Sequence, residues 1–237
     1  MLKLQKLTKQ FWLGSKPFTA VNSLSLEVAT GQVFGFIGLN GAGKTTTIKM
    51  ITGLLFPDSG QSSWKKQDST SVESKKKFGF MPEHPQFHRH LSATEVLSYV
   101  GELFEIDPTI ITKRTKVLLK QVGLADSAKI PVRNFSKGMR QRLGFAVALI
   151  NNPELLILDE PLDGLDPIGR AEFKKLILEQ KAANKTIFLS SHILSDIDEI
   201  CDQIAVIDKG KLLFIGSPKK LTGGKKSLEA AFVELVR

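Results

Sequence analysis

The stretch GLNGAGKTTT at 38–47 lies between the apolar run QVFGFI and the segment IKMITGLL, and it admits few folds. A strand, a glycine-rich turn and a helix opening on Lys44 and Thr45 form an arrangement in which main-chain N–H groups wrap phosphates. Gly38, Gly41 and Gly43 let the backbone come close to a phosphate, Asn40 and Ala42 complete the turn, and Thr46 sits in the first helical turn. The helix amino terminus adds its dipole. In such a loop Lys44 reaches the β- and γ-phosphates of a nucleoside triphosphate, and the Thr45 hydroxyl is a magnesium ligand. A plain turn before a helix is the alternative; correctly flanking strand and helix favour the phosphate reading.

A length of 237 residues suits one α/β domain with an inserted subdomain. The apolar runs, such as LLIL at 155–158, are too short to cross a bilayer, and MLKLQKL lacks the apolar core of a signal peptide. The single cysteine, Cys201, excludes an internal disulfide and fits a reducing compartment, so a cytoplasmic location is expected. The net charge of +9 is scattered over short lysine clusters at 65, 75, 174, 219 and 225, without an aromatic-interleaved basic stripe. Solvated surface is the preferred reading and no nucleic-acid partner is expected; attraction to anionic lipid stays open if the protein works at the cytoplasmic leaflet.

Along the chain, LKLQKL and LSLEVA alternate apolar and polar residues as strands do, and QVFGFIG is the strand entering the glycine turn. The first helix is expected from Thr45 to Gly53; FPDSGQSSW then reads as a turn and KKFGFMPE as a returning strand. Residues 86–152 read as helical without strands. Ser92 and Glu95 form a capping box, Asp107 and Pro108 open a second helix ending at Gly123, and a third begins near Ser136 and stops before Pro153. Thereafter ELLILDEP is a strand apolar on both faces, central in a parallel sheet. Asp166 and Pro167 open a helix, KTIFLSSH is a strand, ILSDIDEICD a helix, QIAVIDKGKLLFIG a hairpin turning at Lys209 and Gly210, and SLEAAFVELV a terminal helix. The expected class is α/β: a P-loop NTPase core with a mostly parallel sheet, an N-terminal antiparallel β subdomain and an inserted helical subdomain. Residues 1–85 and 153–237 make the core and 86–152 the insertion.

Four apolar residues put Asp159 at the carboxyl end of a buried strand, where α/β sheets bind ligands. Asp159 is placed to hold magnesium through water, and Glu160 to polarise a water attacking the γ-phosphate. Acids capping the next turn are the bland alternative, weakened by the phosphate loop upstream.

With these residues in place, the chain resembles the nucleotide-binding subunits of ABC transporters over nearly its whole length. NFSKGMRQRLGFAVAL at 134–149 is similar to the ABC signature, which implies that Ser136, Lys137 and Gly138 bind the γ-phosphate of a nucleotide held by an opposing subunit. The usual form is Leu-Ser-Gly-Gly-Gln, so Lys137 replaces a glycine. DGLD at 163–166 resembles the D-loop, which implies Asp166 at a dimer interface; His192 takes the switch-histidine position near the γ-phosphate, and Phe11 that of the aromatic stacking on adenine. Alone, Phe11 reads as core packing and His192 as an end-of-strand histidine; their spacing from the glycine turn at 38–47 and from Asp159 moves both toward function. Glu83 stands where many relatives carry glutamine that meets magnesium and senses the membrane partner, and a carboxylate ligates magnesium equally well. Glu83 together with SLEAAF resembles the branch exporting drugs, polysaccharides or lipids. His84, His88 and His90 crowd one segment, for which metal binding and a polar loop touching a partner are both open.

The resemblance implies an ATPase with ATP as ligand, Mg2+ as cofactor, and Lys44, Glu160 and His192 as catalytic residues. It further implies dimerisation around ATP with a second ATP-binding subunit, coupling to an integral membrane permease, and a place on the inner face of the membrane. The alternative client is a ribosome or nucleic acid, although such relatives usually carry two cassettes or a long coiled coil, and this chain shows one cassette and no heptad run. An inactive regulator is a third possibility, which intact Lys44, Asp159, Glu160 and His192 argue against.

Overall fold

The computed structural model describes residues 1–223 and 227–237; the lysine cluster beginning at 225 lies outside the described residues. Strands β1 (Leu2–Leu13) and β2 (Lys16–Val28) form a long hairpin, and β3 (Val33–Ile37) leads through the glycine turn into α1 (Lys44–Ile51). Then come β4 (Ser59–Trp64), β5 (Gln67–Asp68), α2 (Val72–Lys75) and β6 (Phe78–Met81). Three helices follow: α3 (Ala93–Leu103), α4 (Pro108–Gln121) and α5 (Lys137–Leu149). The chain returns through β7 (Leu155–Leu158), α6 (Pro167–Ala182), β8 (Thr186–Ser191), α7 (Leu194–Ile200), β9 (Gln203–Asp208) and β10 (Lys211–Gly216). It ends in α8 (Pro218–Thr222) and α9 (Leu228–Val236).

Two sheets result. The first is antiparallel in the order β2-β1-β4-β5; the second runs β10-β9-β3-β8-β7-β6, parallel from β9 to β6 with β10 antiparallel at its edge. The period-two alternation of strand side chains divides the core. Phe34 and Phe36 of β3, Leu155 and Ile157 of β7, Phe188 of β8, and Ala205 and Ile207 of β9 pack toward the antiparallel sheet and α1. Their neighbours Val33, Ile37, Leu156, Leu158, Ile187, Leu189, Ile204 and Val206 join the helices on the opposite face. This two-sided burial is why those strands read as continuous apolar runs.

The helix signals act as expected. Ser92 and Glu95 form the reciprocal capping box of α3, Asp107 caps α4 with Pro108 at its first position, and Ser136 caps α5. At the β9/β10 turn, Lys209 and Gly210 both have positive φ, 45° and 77°, as a tight hairpin with right-handed strand twist requires. The FPDSGQSSW stretch departs from expectation: its second half is β4, paired antiparallel to β1 with Leu2 opposite Trp64. Serine, glycine and glutamine hide the strand, while Ser62 and Trp64 turn inward at a period of two. Strand β7 is interior, between β8 and β6, one place from the edge of the sheet.

Strand β6 lies so close to α5 that a Cβ on Gly79 would collide with the Ala148 carbonyl and the Leu156 side chain. Gly79→Ala should therefore destabilise the fold by about 2–3 kcal/mol, the upper part of the overpacking range. The check is a lower urea midpoint at unchanged slope; a wild-type midpoint would contradict this close approach.

Candidate functional site

The carboxyl ends of β3, β8, β7 and β6 stand side by side in the sheet. The segments leaving them carry the glycine turn, His192, Asp159 with Glu160, and Glu83, so residues distant in sequence meet along one sheet edge. Gly43 is the N-cap of α1 with φ 109°, and the Thr47 amide donates to its carbonyl at 2.9 Å. The amides of the first helical turn have no partner inside the helix, which leaves them for an anion. Gly38 is required sterically, because a Cβ there would strike the Ile207 carbonyl oxygen. The loop is braced by the β9/β10 turn, whose Gly210 amide donates to the Ala42 carbonyl at 2.9 Å.

Lys44 is buried and its Nζ donates to the carbonyl oxygens of Gly38 at 2.8 Å and Leu39 at 3.3 Å. The same ammonium lies 3.1 Å from Glu160 Oε1. This is a charge contact rather than an aligned hydrogen bond, since Glu160 Oε1 is buried without a hydrogen-bond partner. Glu160 Oε2 accepts from the His192 amide at 3.2 Å and lies 2.9 Å from His192 Nδ1. The Glu160 backbone is left-handed, with φ 47°, a strained state of roughly 1–3 kcal/mol that the surrounding contacts must hold.

Behind them, Asp159 Oδ1 accepts from the hydroxyls of Ser190 at 2.7 Å and Thr45 at 3.3 Å, and the Ser190 oxygen accepts from the Glu160 amide at 2.9 Å. Burial holds the Asp159 carboxyl above its ordinary range, reinforced by the neighbouring Glu160 charge and opposed by the Ser190 and Thr45 bonds and by Lys44. Ser190 is fully buried and was missed in the sequence, where SS in a strand carries no mark of its role.

A cleft of about 480 Å³ is lined by Phe11, Asn40, Gly41, Gly43, Lys44, Thr45, Thr46, Glu83, Glu160 and His192. Phe18, Ala20, Leu39 and Asp163 line it as well, and sequence reasoning missed all four; Phe18 is the direct cross-strand partner of Phe11. Gly38, Ala42 and Asp159 lie beneath this surface. The remaining predicted residues, Ser136, Lys137, Gly138 and Asp166, do not line the cleft. The Ser136 oxygen caps Met139 N at 3.2 Å, and the Asp166 carboxylate caps Gly169 N at 2.6 Å. The Glu83 carbonyl accepts from Gln141 Nε2 at 3.0 Å, tying α5 to the loop after β6. Of the three clustered histidines, His84 lies 3.7 Å from Glu83, whereas His88 stacks edge-on against Tyr99. Among the described residues, no group of three or more His, Cys, Asp or Glu side chains could hold a metal ion.

A phosphate-wrapping loop, a buried acid pair at a strand end and a histidine just past the end of the neighbouring strand define a P-loop NTPase site. The ABC transporter family model matches residues 21–163. The chain is 42% identical over 219 residues to an uncharacterised ABC transporter ATP-binding protein of Nostoc, a match covering 92% of the chain and 65% of that protein. It therefore spans just under two thirds of that relative's length. It is 38% identical to a lantibiotic transport ATP-binding protein of Streptococcus pyogenes, covering 98% of this chain and 96% of the other. A solved ATP-binding subunit of an ABC transporter superposes with a TM-score of 0.89 at 29% identity, covering 99% of each chain. The chain belongs to the ABC transporter ATP-binding family.

Asp159 holds its proton more tightly in the folded chain than in the unfolded one, so its contribution lowers stability as pH rises above the unfolded carboxyl range near pH 4. Asp159→Asn should raise the melting temperature near pH 7 without nucleotide, by a margin that shrinks toward roughly pH 4. Thermal melts across that range are the check; no gain near neutrality would contradict the burial penalty.

Proposed function

We propose that the chain is the ATP-hydrolysing subunit of an ABC exporter, working as a dimer on a separate membrane permease. One observation carries this reading. Lys44, Thr45, Glu160 and His192 line a single cleft, with Asp159 directly behind it, while Ser136 and Gly138 do not face it. Ser136 and Gly138 lying outside their own cleft fits a nucleotide clasped between two subunits.

The residues divide the work. The amides of the first turn of α1 and the Lys44 ammonium bind the β- and γ-phosphates. Phe11 and its neighbour Phe18 offer apolar ring faces to the base. Glu160, oriented through Oε2 by His192, takes the proton of the attacking water, and its buried setting keeps bulk water from competing. Neighbouring hard oxygens, the Thr45 hydroxyl and the Asp159 carboxylate 3.3 Å apart, fit Mg2+, with Glu83 on the same cleft. When bound, that ion supplies charge neutralisation on the phosphate oxygens.

Among the described residues, no helix is long and apolar enough to cross a membrane. In this reading the permease supplies the path and holds the subunit at the inner face of the membrane. An apolar groove of about 440 Å³, lined by Pro82, Phe87, Leu91, Val96, Tyr99 and Val100, lies beside Glu83 and suits a permease segment. Export follows the resemblance carried by Glu83 and the terminal helix, and is supported by the near-full-length relative named for lantibiotic transport.

Glu160→Gln should keep ATP affinity within a few-fold and lower turnover at least about 100-fold, the scale of a lost general base. Lys44→Ala should lose ATP binding itself. Phosphate release and ATP titration check the two variants. Wild-type turnover in Glu160→Gln would remove Glu160 from the chemistry, and undiminished affinity in Lys44→Ala would contradict the phosphate assignment.

A further inference from the structure

We propose that Lys137 and Asp163 form an ion pair that shields the triphosphate from a carboxylate in its own cleft, which makes Lys137 a positioning residue for nucleotide binding within one subunit. The proposal rests on the ATP-binding reading above and adds to it a role for the signature lysine that the opposing subunit does not supply.

Lys137 is the first residue of α5, and its Nζ donates to Asp163 Oδ2 at 3.0 Å. Asp163 lines the nucleotide cleft together with Lys44, Thr45 and His192. Left alone, it would present a full negative charge to a ligand carrying about four of its own. Its carboxyl is held below the ordinary range by the Lys137 hydrogen bond first, then by the charges of Lys137, His192 and His84. The Asp163 amide donates to the Glu160 carbonyl at 3.1 Å, so the loop that carries Asp163 is also attached to the strained Glu160.

The geometry around the pair is built for it. Gly164 has φ +66°, and a Cβ there would collide with Lys137 Nζ. The lysine therefore lies across the one residue of this loop that has no side chain. Lys137 also borders a small cleft with Glu83, His84 and Arg140, where Arg140 adds a second cation. The substitution of lysine for the usual signature glycine is thus matched by an acid on the facing loop.

The test is a double-mutant cycle read by ATP titration of dilute purified chain, with ADP as the ligand lacking the γ-phosphate. Lys137→Gln should weaken ATP binding about three- to fivefold, the upper end for a partly exposed, solvent-screened ion pair, and weaken ADP binding less. In the Asp163→Asn background the same substitution should cost under about twofold, and Lys137→Arg should retain affinity in either background. Equal losses in both backgrounds, or no loss in Lys137→Gln, overturn the proposal. Should Lys137→Gln fail to fold, Asp163→Asn alone decides: affinity at or above wild type supports the pair, and weaker ATP binding overturns it. Failure of the wild-type chain to bind ATP would instead remove the nucleotide reading itself.

Discussion

Lys44 and Glu160 place opposite charges 3.1 Å apart in side chains only 6% and 7% exposed. Charges that deep are tolerated only when paired and hydrogen-bonded, and deleting one partner of such a pair typically costs roughly 3–5 kcal/mol. Much of the architecture around the site serves this contact. The glycine turn supplies carbonyl oxygens to the ammonium, and His192 supplies an amide and a ring nitrogen to the carboxylate. The fully buried Ser190 fastens the backbone of Glu160 to the side chain of Asp159. Three strands must end at one level for this to happen, which the parallel order β3-β8-β7 provides.

The same packing ties the helix α5 to the loops that border the cleft. The helix α5 is held to the neighbouring loops through Gln141 on the Glu83 carbonyl and through its first residue, Lys137, on Asp163. Its amino terminus, with the Ser136 cap and Gly138, remains outside the cleft. The loops that carry Glu83 and Asp163 therefore touch both the nucleotide cleft and the signature helix. In the proposed ATP-bound state, a change at the phosphates would reach the helical segment through these hydrogen bonds rather than through the core.

Much of this was legible in the sequence because it rests on local chemistry. Caps at Ser92, Asp107 and Ser136, the two positive-φ residues of the β9/β10 turn, and the two-sided apolar strands each announce themselves over a few residues. So does the glycine turn with Lys44 and Thr45. What stayed hidden depends on topology. Strand β4 is written in serine, glycine and glutamine, and becomes a strand because β1 offers it a paired edge and a place for Trp64. Ser190 and Asp159 are 31 residues apart, and Lys137 and Asp163 are 26 apart. No spacing rule links them before the sheet order is known. Phe18 was obscured for a related reason: its value to the site comes from lying opposite Phe11 across the hairpin.

In the proposed reading, one chain holds half of a composite ATP site and a second chain completes it through Ser136. The most direct measurement is disulfide cross-linking of two variants with one introduced cysteine each, Asn40→Cys in one copy and Ser136→Cys in the other, the buried Cys201 being left in place. With ATP and Mg2+ present under non-hydrolysing conditions, the account predicts an intermolecular cross-link between the two variants that fades with ADP or without nucleotide. A cross-link formed equally without ATP, or none under any condition, would contradict a site shared between subunits.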